Sequence, residues 1–60
     1  MSTIYNPEAD LIAEIERLEL EARNIRRRIE QARNDEDKRI LNKQLIETTQ
    51  QIDLLRARLP

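Results

Sequence analysis

The apolar residues of this chain recur at alternating steps of four and three, and the pattern is mirrored about Asp35. Leu11, Ile15, Leu18, Ala22, Ile25, Ile29 and Ala32 form the first stripe, and Lys38, Leu41, Leu45, Thr48, Ile52, Leu55 and Leu59 form the second. Alternating threes and fours average to the 3.5-residue repeat of a coiled-coil seam. Equal spacing about Asp35 would bring Leu11 beside Leu59, Ile15 beside Leu55, Leu18 beside Ile52, Ile25 beside Leu45 and Ile29 beside Leu41 if the chain folded back there. The pattern therefore predicts an all-α fold, a two-helix antiparallel hairpin of coiled-coil type. The competing arrangement is one uninterrupted helix, which no glycine or internal proline forbids. Register argues against it, because carrying the first heptad forward puts Glu36, Arg39, Lys43, Gln50 and Asp53 on the seam.

Composition suits long amphipathic helices: 38% of the 60 residues are charged, 38% are hydrophobic and none is glycine. A single domain over 1–60 is expected, with Met1–Tyr5 as a flexible arm. At Asn6-Pro7-Glu8 the start signals coincide, since Asn can accept from an orphan backbone N–H, Pro loses nothing at the first helical position, and an acid follows. The first helix is expected over 7–33, about 40 Å at 1.5 Å per residue. Asn34 is suited to the left-handed conformation that closes a helix, and Asp35, Glu36 and Asp37 to the start of the next, so a turn at 34–36 leads into a second helix over 36–59. Pro60, beyond its last seam residue, comes too late to break it. No cysteine is present for disulfides or thiolate metal sites, and no long apolar run predicts a membrane span or secretory signal, so a cytoplasmic protein is expected.

The positions flanking a seam choose partners. In the first helix they read acid and then base: Glu14, Glu19 and Glu21, followed by Arg26, Arg28 and Arg33. In the second they are neutral at Asn42, Gln44, Thr49 and Gln51 until Arg56 and Arg58, which a fold-back delivers beside the acidic half of the first helix. Two copies with turns at the same end would set Arg against Arg, whereas a head-to-tail pair matches unlike charges. A hairpin of this size also has little core with which to offset its conformational entropy. Dimerisation into an antiparallel four-helix bundle is therefore expected, with the stripe residues from Leu11 to Leu59 on four helices sharing one core. The stripes narrow in the middle to Ala22 facing Thr48, which reads first as one tolerated weak layer, since Thr48 can bond its own helix backbone, and second as a waist where a dimer's twofold axis could cross and a partner hairpin dock. Leu20, Ile40, Ile46 and Leu54 lie off the seam, and Ile40 and Leu54, two heptads apart on one face, are the best candidates for a second contact surface.

Enzymatic chemistry finds no residues to work with. There is no His, no Cys and no Gly, so nucleophile–base pairs, phosphate-cradling loops and imidazole or thiolate ligation are all missing. Glu16 with Glu19, or Glu14 with Glu21, offers oxygen ligation of a hard cation at most, and the Glu-x-x-His element of di-iron bundles has no histidine. Neither metal nor cofactor is expected. The net charge of −1 gives the whole chain no pull toward nucleic acid or an anionic membrane. From Arg23 to Lys43, however, eight basic residues face four acidic ones, and Arg23, Arg27 and Lys43, off the seam and its flanks, are the candidate nucleic-acid contacts.

In length, in the fold-back and in the alternating seam from Asn6 to Leu59, the chain resembles the Rop-type RNA-binding regulators of plasmid copy number. Those are small helical hairpins that dimerise antiparallel into a four-helix bundle. The resemblance implies the same architecture and admits RNA as a ligand. Family members read paired RNA loops with polar and aromatic residues on the first-helix pair, and the first helix here holds no aromatic residue, so no family site residue maps onto this sequence. The reading preferred from the residues themselves is a small non-enzymatic adaptor or regulator acting through protein–protein contacts of a homodimer, with a protein partner. The alternative is an RNA- or DNA-binding regulator using the basic region near the turn.

Overall fold

The computed structural model describes residues 6–60, and the arm expected over 1–5 lies outside them. Two helices, α1 (Pro7–Gln31) and α2 (Asp35–Arg56), pack against each other as a hairpin, with no strand among the described residues. The α1 start follows from its sequence. Asn6 is extended, and its Oδ1 accepts from the N–H groups of Glu8 at 3.0 Å and Ala9 at 3.3 Å. Pro7 then supplies a helical φ with no N–H to satisfy, and Glu8 and Asp10 sit in the first turn where the helix dipole favours acid.

The chain reversal differs from the expectation in its chemistry and its bounds. α1 stops at Gln31 instead of Arg33, because Ala32 turns extended (φ −66, ψ 136) while its N–H still donates to the Ile29 carbonyl. Asn34 is not in the left-handed region; it is extended (φ −120, ψ 157), and no non-glycine residue among those described has a positive φ. Its Oδ1 accepts from the Asp37 N–H at 2.7 Å and its Nδ2 donates to Asp37 Oδ2 at 3.1 Å, which makes it the N-cap of α2. That reciprocal pair satisfies an orphan donor without the steric cost of a left-handed asparagine. The second helix consequently begins at Asp35, one residue early, and the connection is 32–34.

α2 also ends sooner than expected, at Arg56 and not Leu59. Its last N–H groups change partner spacing, Ala57 donating to the Asp53 carbonyl and Arg58 and Leu59 to those of Leu55 and Arg56, so the end tightens into three-residue steps.

Between the helices the buried residues are those of the seam. Ile15, Leu18, Ala22, Ile25, Thr48 and Ile52 are buried, and Leu11, Ile29, Ala32, Leu41, Leu45, Leu55 and Leu59 are half-buried. Lys38, the polar end of the second stripe, is exposed, and Glu19 is the one described residue off the seam that is half-buried. Ala22 is 2% exposed, so the middle of the seam is already closed within one hairpin. The ends are less covered. The result is a single helical layer, 11 Å through its thinnest dimension and 22 Å wide. Its radius of gyration is 15.2 Å, against about 10 Å for a compact domain of the same length.

Candidate functional site

Among the described residues the grooves of the hairpin are open to its outer surface, and the flanking residues decide how that surface is charged. The hairpin has two broad faces. One carries Glu19, Arg26, Thr49 and Arg56, which border a groove with Ala22, Arg23, Ile52 and Asp53. The other carries Glu21, Arg28, Gln44 and Gln51, bordering a groove with Asn24, Ile25, Glu47 and Thr48. Toward the open end this second face continues into a shallower groove formed by Glu14, Leu18, Gln51, Leu54, Leu55 and Arg58.

Charge matching within the hairpin is visible on both faces. Arg56 Nη2 donates to Glu19 Oε2 across the two helices, which explains why Glu19 is drawn partly out of solvent. Arg58 shares a groove with Glu14 but makes no ion pair; Glu14 accepts instead from Arg17 Nη2 on its own helix at 2.6 Å. Arg56 and Arg58 thus both lie beside the acidic half of α1, and one of them closes a bridge. These are exposed pairs, each worth about 0.2–1 kcal/mol. Glu21, Arg26, Arg28 and Arg33 are exposed and belong to neither ion pair found among the described residues.

The basic region is entirely solvent-facing. Arg23, Arg26, Arg27, Arg28, Arg33, Lys38, Arg39 and Lys43 are all exposed, and none takes part in an ion pair among the described residues, both of which lie toward the open end. Arg23 belongs to the face of Arg56, whereas Arg27 and Lys43 line neither of the two grooves between the helices. The candidate contacts Arg23, Arg27 and Lys43 are therefore not gathered into one concavity. Among the described residues no group of three or more His, Cys, Asp or Glu could hold a metal ion, and no helix is long and apolar enough to cross a membrane.

The large apolar residues left exposed are Ile12, Leu20, Ile40, Ile46 and Leu54. Four of these stand out in the sequence by lying off the stripes. Ile12 does not, because it adjoins Leu11 and merges with the seam's first member; only the heptad assignment separates it as a flank position. Comparison with protein families, curated proteins and solved structures returns no match for this chain.

Proposed function

We propose that this chain is a non-enzymatic interaction module, an antiparallel homodimer of helical hairpins in a four-helix arrangement that serves as a small cytoplasmic adaptor or regulator through its outer faces. The observation that carries the reading is surface area. The hairpin exposes 5359 Å², whereas a compact monomer of its mass would expose about 4,100 Å². One helical layer leaves both broad faces without a second layer, and folded domains ordinarily have at least two. Apolar residues remain on that surface, and a second hairpin supplies the missing layer. Because the middle of the seam is closed, the partner copy adds to an outer face and does not share the seam residues themselves.

Sedimentation equilibrium across a hundredfold concentration range tests this. A reversible monomer–dimer equilibrium is expected, with a melting temperature that rises with concentration. A concentration-independent monomer of unchanged stability overturns the homodimer. For the adaptor role, the test is capture from source lysate with and without nuclease, and a partner protein that survives nuclease treatment is expected.

A second reading has one observation in its favour: the eight exposed basic side chains from Arg23 to Lys43, none of them in an ion pair among the described residues. In that reading the protein is a nucleic-acid-binding regulator contacting phosphates through Arg23, Arg27 and Lys43. Nucleic acid that copurifies, and binds in the purified system with a steep salt dependence, supports it over the first.

A further inference from the structure

Resting on the homodimer reading, we infer that the second copy docks on the face carrying Ile40, Glu47 and Leu54, through a twofold axis lying across the helices at the level of Asn24 and Glu47. The two exposed apolar residues of this face are symmetrically placed. Ile40 and Leu54 are each seven residues from Glu47, so they share one side of α2, about 21 Å apart at 1.5 Å per residue. Leu54 is 69% exposed and Ile40 52%. A twofold operation at Glu47 sets Ile40 of one copy on the Leu54 groove of the other, and makes the same contact a second time, as an isologous interface requires.

The same axis settles the charges on α1. Glu47 and Asn24 line one groove, so they sit at one level. An antiparallel partner centred there brings Arg28 over the partner's Glu21, and Glu21 over the partner's Arg28, both absent from the ion pairs of the hairpin itself. Asn24 meets its own counterpart, and an amide can donate and accept across a twofold axis. Glu47 also meets its counterpart; Arg28 in the same groove is the cation that tempers this repulsion. The opposite face has no such match. Its Glu19 is already held by Arg56, and its apolar residues, Ile12 and Ile46, stand on different helices, so an axis perpendicular to the helices, which sets α1 on α1 and α2 on α2, cannot pair them. Area is sufficient as well. A face 22 Å wide and one α2 long offers a footprint on the order of 700 Å², close to the roughly 800 Å² per partner of a stable interface.

The chain has no cysteine, so disulfide cross-linking of the full chain is a clean test. Glu47→Cys alone should cross-link copies under mild oxidation. Ile40→Cys with Leu54→Cys should do so efficiently, and either one alone should not, because like positions are about 21 Å apart in the dimer. Ile12→Cys with Ile46→Cys, on the other face, should remain uncross-linked. In the absence of oxidant, Leu54→Glu should weaken the dimer by roughly tenfold or more, and Glu47→Leu should tighten it. All these sites are exposed, and circular dichroism would verify that the helices persist. A wild-type dimer in which Glu47→Cys and the 40/54 pair fail to cross-link overturns this face and leaves the homodimer standing. A wild-type monomer overturns both.

Discussion

Single residues carry the stability of this hairpin unevenly, and the middle of the seam carries most of it. Ala22 is 2% exposed, so a larger side chain there has nowhere to go; Ala22→Leu should destabilise by about 1–3 kcal/mol through overpacking. Leu18→Ala and Ile52→Ala should each cost about 2–5 kcal/mol, since both sit in the buried cluster with Ile15 and Ala22. Urea titrations followed by circular dichroism would measure all three. Asn34→Ala removes the acceptor of the Asp37 N–H and should cost about 1 kcal/mol. Burial at these positions was legible from spacing alone, because a seam residue has one direction to point. The role of Asn34 was not. Asparagine serves both as an N-cap and as a left-handed helix terminator, and what decides between them is the extended backbone at Ala32, which no periodicity encodes.

At the scale of helices, register and charge are separable contributions. The mirrored stripes dictate which turn of α1 meets which turn of α2, and the Arg56–Glu19 bridge adds a check on that register that does not depend on apolar contacts. A double-mutant cycle on Arg56→Ala and Glu19→Ala should return a coupling of about 0.2–1 kcal/mol that shrinks at 1 M salt, as befits an exposed pair. Spin labels at Ala13 and Ala57, both exposed and equidistant from Asp35, should report a short separation within one chain. Both sites lie on the outer edges of the pair, so interaxial distances of about 8–10 Å and helix diameters of about 10–12 Å put them roughly 20 Å apart, whereas one continuous helix would separate them by about 66 Å. The helix ends were less legible than the register. Seam residues continue past Gln31 and Arg56, so the stripe alone extends both helices, and it encodes neither the extended backbone at Ala32 nor the three-residue bonding steps of Arg58 and Leu59.

For the whole molecule, the open question is what the segregated charges of α1 are for, and the two proposed functions assign that task to different arginines. If the basic half orients a second copy, Arg28→Glu should weaken the dimer, because it sets acid against the partner's Glu21. Adding Glu21→Arg to the same chain should restore it, since the swap re-forms both pairs with reversed sign. The weakening should diminish as salt rises. Arg26→Glu and Arg33→Glu, on flanks belonging to the other face, should change association far less than Arg28→Glu does. If instead the basic half holds nucleic acid, Arg27→Glu with Lys43→Glu should abolish a salt-sensitive binding while sedimentation stays that of the wild type, because both side chains are exposed and off the seam. The preferred outcome is the first. A charge swap can rescue only a contact between two protein groups and cannot rescue one to phosphate, so restored dimerisation in the Glu21→Arg, Arg28→Glu chain would assign these charges to self-recognition, and failed rescue beside intact RNA binding would assign the basic half to nucleic acid.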